Sequence, residues 1–154
     1  MPTGGWMEER THVFPVRVYY EDTDFSGFVY HASYLKFIER GRSEFLRICG
    51  LGHRELLNAA EPLFWTVRKI EITYLRPARI EDALTARTQV AGITGARMLL
   101  NQWIERSGEM LTRASVEVCL IGSAGRPRRI PDAIREQMEF YLQSSDNPAV
   151  GQEH

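Results

Sequence analysis

The sequence predicts an α+β fold: an antiparallel five-stranded sheet wrapped around one long central helix, with a short C-terminal helix. Three observations carry this expectation. One segment alone shows a broad apolar stripe at 3.6-residue spacing, the strand-like runs are segregated from it, and those runs are joined by turns too short for crossover helices.

The first strand is expected over 11–20, where Val13, Val16, Val18 and the Tyr19-Tyr20 pair alternate around Pro15. Residues 22–27 read as a turn. The helix follows, with Tyr34, Phe37, Ile38, Gly41, Phe45, Ile48 and Cys49 on one face and Lys36, Glu39, Arg40, Arg42 and Arg47 on the other. Ser33 reads as its N-cap, and Gly50 or Gly52 as its left-handed stop. Four more strands are expected over 64–75, 83–91, 97–105 and 110–121, separated by Arg76-Pro77-Ala78, by residues 91–95 and by Ser107-Gly108. Pro131 then opens a short amphipathic helix carrying Ala133, Ile134, Met138, Tyr141 and Leu142.

With 154 residues and 44% of them hydrophobic, the chain has enough material for one well-buried core without disulfide or metal staples. A single domain over 11–143 is the reading, with 1–10 and 144–154 as flexible termini because both are polar and contain Gly or Pro. Nineteen Lys and Arg against 20 Asp and Glu give a net charge of −1, which provides no electrostatic case for nucleic acid as partner. No apolar run approaches the ~20 residues of a membrane span, and the N-terminal stretch has no apolar h-region. Cys49 and Cys119 sit in apolar surroundings and read as buried small hydrophobes, which points to the cytoplasm. A single sheet on one helix leaves an exposed edge, so a homo-oligomer is expected, a dimer at minimum.

Chemistry concentrates where the first strand hands over to the helix. Asp22 and Asp24 lie on the turn, Gly27 permits positive φ or close backbone approach, and the helix begins near His31. Unpaired N–H groups and the positive dipole end at such a helix start suit an acyl carbonyl, with a carboxylate to attack the carbon or activate water. Taken singly, an Asp before a helix is more often a cap or turn residue, so only the joint arrangement points to catalysis. A divalent cation on Asp22, Asp24 and His31 is the weaker reading, since no further ligand cluster adjoins them.

The run Val18-Tyr19-Tyr20-Glu21-Asp22-Thr23-Asp24, followed by Gly27, by Val29-Tyr30-His31-Ala32-Ser33-Tyr34 and by Glu39-Arg40, resembles the hotdog-fold acyl-CoA thioesterases. Within them it is similar to the 4-hydroxybenzoyl-CoA thioesterase family and its bacterial branch associated with the Tol–Pal system. The likeness extends from about residue 11 to 141 and includes the Tyr74-x-x-Pro77-Ala78 turn and Pro127-Arg128-x-Ile130-Pro131. It implies a hotdog fold, a dimer or tetramer, and hydrolysis of an acyl-CoA or acyl-carrier-protein thioester. It also implies Asp24 as catalytic carboxylate, the N–H at His31 as the group polarising the carbonyl, and Tyr20 beside the aspartate. Phe25 and Ser26 depart from the small residues common in the family at those positions, which bears on acyl preference.

An Asp has an ordinary pKa near ~3.9 and is ionised at neutral pH, so Asp24 is able to form an acyl anhydride or to take a proton from attacking water. Neither route calls for a metal or redox cofactor; coenzyme A enters as part of the substrate. Its phosphates need cations, and Arg126, Arg128 and Arg129 form the densest basic patch, although for any one of them a solvated loop is the slightly stronger reading. Two other functions compete. A hotdog enoyl-CoA hydratase would use a tighter Asp-x-Asn-Pro-x-His pattern, absent here; a non-catalytic acyl-CoA-binding or scaffold subunit has no need for Asp24, Gly27 and His31 together.

Overall fold

The computed structural model describes residues 3–143, so the expectation for 144–154 lies outside the described residues. Strands β1 (Trp6–Glu8), β2 (Thr11–Arg17), β3 (Phe64–Tyr74), β4 (Ala83–Ile93), β5 (Arg97–Arg106), β6 (Glu109–Ile121) and β7 (Pro127–Arg128) accompany helices α1 (His31–Ile48), α2 (His53–Leu57) and α3 (Asp132–Glu139). The sheet runs β1-β2-β4-β5-β6-β3 with every neighbouring pair antiparallel, and β7 is added to the end of β6. The five expected strands form its body, the hotdog arrangement of a sheet around α1.

Two short strands and α2 extend that expectation. Trp6–Glu8 corrects the reading of 1–10 as a loose arm: Glu9 turns the chain at φ 56°, and Trp6 to Glu8 then pair with Val13 to Thr11. Three residues carry too little periodicity to announce a strand. β2 ends at Arg17 rather than running to residue 20, for a reason that lies in the loop between β2 and α1 described below.

Helix α1 packs its apolar face on β2, β4 and β5. Tyr34, Phe37, Ile38, Gly41 and Phe45 are buried as the periodicity requires. Each fully buried phenylalanine contributes about 1.5–3 kcal/mol of transfer free energy. Gly41 is required by contact, since a Cβ there would meet the Ala86 Cβ at 3.1 Å. Ile48 departs from the expected face and is 44% exposed, while Leu46, Cys49 and Leu51 around it are buried. The predicted stop is Gly50, which adopts φ +76° just past the Cys49 cap.

One polar seam ties helix to sheet. Gln102 on β5 donates through Nε2 to the Ile38 carbonyl at 2.9 Å and to Thr88 Oγ1 at 3.0 Å, while its Oε1 accepts from Arg42 at 3.1 Å. Arg42, expected on the solvent side, is therefore drawn inward. Trp65, Trp103, Cys49 and Cys119 are all buried, and burial pushes the Cys49 thiol up to about 12. Among the described residues no helix is long and apolar enough to cross a membrane.

Candidate active site

The chain between β2 and α1 leaves the sheet because Asp22 folds it back. Asp22 Oδ2 accepts the Tyr19 N–H at 2.8 Å, its own N–H donates to the Tyr19 carbonyl at 3.0 Å, and residues Tyr20–Asp22 form a 3-10 turn in place of the last strand residues. The Asp22 carbonyl also accepts the Tyr30 N–H at 2.9 Å, pinning the far end of the loop. Asp22 is thus a buried shaping carboxylate, the turn role the sequence suggests for it.

A smaller loop closes inside this one. Thr23 and Val29 form a β-bridge, and the Asp24 N–H donates to the Phe28 carbonyl at 3.0 Å. At the tip, the Gly27 N–H donates to the Asp24 carbonyl at 3.2 Å with Gly27 at φ +83°. Open space surrounds the position of a Gly27 Cβ, so the glycine is needed for its backbone angle rather than for close approach.

The Asp24 side chain stands fully exposed on this tip. Ser26 donates to its Oδ1 twice, from the hydroxyl and from the backbone N–H at 2.8 Å, and these bonds hold the carboxyl below the usual carboxylate range. The carboxylate lines a cavity of about 570 Å³ together with Tyr20, Glu21, Thr23, Phe25, Gly27 and Ile80. Tyr20 is 80% exposed and Phe25 wholly so, an unusual pair of bare rings flanking one charged group.

The helix start lies on the other side of the loop. Tyr30 rather than Ser33 is the cap residue, because the bond from Tyr30 to Asp22 sets where the helix begins. Ser33 is buried inside the first turn, and its N–H closes on the Tyr30 carbonyl at 2.8 Å. This leaves the His31 and Ala32 N–H groups as first-turn donors without an intrahelical acceptor. Tyr74, at the end of β3, donates its hydroxyl to the His31 carbonyl at 3.0 Å, and burial raises that phenol's pKa, so it stays a donor. Tyr34 Oη accepts the Ala78 N–H at 2.9 Å, and the Ala78 carbonyl accepts the Val29 N–H at 2.8 Å. His31, Tyr34, Tyr74 and Leu75 help line a second cavity of about 300 Å³.

Within one chain, then, Tyr20, Asp24 and Gly27 share one cavity and His31 lines a second, with Phe28, Val29 and Tyr30 between Gly27 and His31 in sequence. Arg126, Arg128 and Arg129 line neither. Arg128, on β7, is bonded through both terminal nitrogens to the Glu61 carboxylate, while Arg126 and Arg129 are exposed and Arg129 lies beside Gly95. Sequence reasoning gave Ser26 only a bearing on acyl preference and Tyr74 only a place in a turn, and it missed Ile80 as part of this region. A serine two residues after an aspartate is a readable local bonding signal; Tyr74 gives none, because its partner is a backbone carbonyl 43 residues earlier.

Comparison with known proteins agrees with this architecture. Residues 18–138 match the model of the Thioesterase-like superfamily. The acyl-CoA thioesterase YbgC of Haemophilus influenzae is 43% identical over 108 residues, covering 70% of this chain and 79% of that protein. The acyl-CoA thioester hydrolase YbgC of Escherichia coli O6:H1 is 40% identical over 123 residues, covering 79% of this chain and 90% of the relative. The crystal structure of a probable thioesterase from Bartonella henselae superposes with a TM-score of 0.76 at 49% identity, covering 79% of this chain and 99% of that one. With a family match spanning most of its length and relatives at this identity, the chain belongs to the Thioesterase-like superfamily.

Proposed function

We propose that the protein hydrolyses acyl-CoA thioesters to a carboxylic acid and free coenzyme A, with Asp24 as the reacting carboxylate. The observation that carries this reading is a fully exposed Asp24, bonded twice by Ser26, on a loop tip that opens on a cavity of about 570 Å³ and leads through residues 28–30 into the first turn of α1. Two routes balance. In one, an Asp24 oxygen attacks the acyl carbon, the C–S bond breaks to release the thiolate, and water then cleaves the anhydride; in the other, Asp24 takes the proton from water as that water attacks the acyl carbon, and the C–S bond then breaks to release the thiolate, which takes up that proton. In both, charge develops on the carbonyl oxygen, and one well-placed donor such as the His31 N–H is worth about 10²–10³ in rate. Tyr20 lines the same cavity as the carboxylate, and the His31 ring is assigned to orient water or hydrogen-bond the thioester. The chemistry needs no metal or redox group, because coenzyme A itself is part of the substrate; an acyl-carrier-protein thioester would meet the same groups.

The working unit in this reading is a homodimer or a tetramer built from it. Support comes from β3, an 11-residue strand that ends the sheet and, among the described residues, pairs on one side only, with β6. Its last residue, Tyr74, borders the His31 cavity, so a second chain laid along β3 abuts that half of the site. Arg126, Arg128 and Arg129 are proposed contacts for the coenzyme A phosphates, with Arg128 exchanging Glu61 for phosphate. The two buried free cysteines and the coenzyme A substrate both favour the cytoplasm as its location.

Thiol release from a panel of short, long and aromatic acyl-CoAs tests the activity. Asp24→Asn should lose at least ~100-fold in kcat while keeping the wild-type melting temperature; full turnover in that variant would end the assignment. Light scattering should return at least twice the 17.7 kDa chain mass, and a clean monomer contradicts the edge-strand reading.

A further inference from the structure

We propose that Ser26 is a positioning residue for catalysis: its hydroxyl and its N–H together clamp Oδ1 of Asp24, leaving Oδ2 as the oxygen that reacts. This rests on Asp24 being the reacting carboxylate and adds the question of how a fully exposed side chain is held still. An aspartate free in solvent samples several rotamers, and each one away from the acyl carbon subtracts from the rate.

The geometry is specific. The backbone bond from Ser26 is 2.8 Å, the hydroxyl bond is shorter still, and both fall on the same oxygen. A carboxylate gripped on one oxygen by two donors has its plane restricted while the other oxygen keeps its lone pairs. Ser26 is itself held, since the Phe28 N–H donates to its Oγ at 3.3 Å, and Phe28 is in turn stacked under the Arg79 guanidinium at 4.7 Å. A chain of contacts thus runs from the segment after β3 through Phe28 and Ser26 to the carboxylate. The other ionisable groups on its cavity are Tyr20 and Glu21 from the 3-10 turn; the segment after β3 contributes Ile80 there, and His31 at the start of α1 lines a second cavity.

The same two donors favour the ionised form, which lowers the Asp24 pKa and gives the inference a signature that a merely structural serine lacks. The reactive form is the carboxylate, so kcat/KM is present above its pKa and is lost as pH falls through it. Removing the hydroxyl moves that acid limb to higher pH.

The experiment compares wild type, Ser26→Ala, Ser26→Thr and Asp24→Asn on the panel acyl-CoA that wild type turns over fastest, with kcat and KM read across pH. Ser26→Ala should lower kcat about tenfold at neutral pH with little change in KM and should shift the acid limb upward; Ser26→Thr, which keeps the hydroxyl, should restore both. Because the side chain is exposed on a loop tip, the melting temperature of each variant should match wild type and separates a lost clamp from a lost fold. A wild-type acid limb in Ser26→Ala, whatever its rate, overturns the proposal, and so does failure of Ser26→Thr to recover. Undiminished activity in Asp24→Asn instead overturns the functional reading beneath it, so the two failures are told apart.

Discussion

The two ends of α1 are built on opposite plans. At the C-terminal end, Phe45 is wholly buried, with Tyr141 edge-on at 5.4 Å and His12 tilted at 6.1 Å, and Cys49 lies beneath the same cluster. At the N-terminal end, Asp24, Tyr20, Phe25, Tyr30 and His31 are exposed, yet the backbone beneath them is bonded at Asp22, Asp24, Val29, Tyr30 and Ser33. The first end spends its side chains on packing. The second fixes its loop through main-chain bonds and so leaves its side chains free for a ligand, the division expected where rigidity and accessibility are needed at once.

Substitutions at the two ends should therefore fail in different ways. Asp24→Asn should remove the reaction and leave the fold, as set out above. Phe45→Ala should do the reverse: deleting a fully enclosed ring costs about 3–5 kcal/mol in transfer and cavity terms. Chemical denaturation should show that loss, while kcat per folded molecule stays near wild type. Comparable activity losses per folded molecule in both variants would erase the distinction between the ends.

Tyr74→Phe probes the junction. The phenol holds the His31 carbonyl at 3.0 Å from the edge strand, so its loss frees the first helical turn without uncovering the core. One hydrogen bond of this kind is worth about 0.5–1.5 kcal/mol, which corresponds to a two- to tenfold fall in kcat if the His31 N–H is the carbonyl donor. An unchanged kcat places the carbonyl donors elsewhere.

Much of this plan was legible in the sequence, and what was not has physical causes. The apolar face of α1 could be read because burial against a sheet imposes a 3.6-residue period, and it failed at Ile48, where the buried side shifts to Leu46 and Cys49 in a way periodicity alone does not show. Arg42 reads as a solvent-facing charge and is drawn in by Gln102, 60 residues away, a partner no local pattern reveals. The turn at residues 22–27 was visible from its Asp and Gly content, but Tyr19 and Tyr20 look like strand residues until the Asp22 side chain competes for the Tyr19 N–H. The catalytic candidates were readable as a cluster, whereas their separation into two cavities depends on three-dimensional closure of the loop. The Arg128–Glu61 pair, between residues 67 positions apart, is of the same kind.

The smallest expected effect belongs to His12, at the packed end. Its ring is fully buried on β2, Nε2 donates to the Gly4 carbonyl at 2.8 Å, and Nδ1 has no hydrogen-bond partner among the described residues. Burial pushes its pKa below the ordinary 6.5, against smaller opposing effects of the Gly4 bond and the Glu44 charge. The unfolded chain therefore binds a proton that the folded chain resists. His12 contributes its full stability above the unfolded value of 6.5, and that contribution is lost as pH falls below it toward the depressed folded value. Melting temperatures measured between about pH 8 and about pH 5 should fall less steeply in His12→Gln than in wild type, because glutamine offers an amide donor to Gly4 and has no proton to gain. Turnover at the other end of α1 should be unaffected at neutral pH. Identical slopes for the two proteins would mean that acid reaches the fold through groups other than His12, and that this histidine acts only as a packed ring on β2.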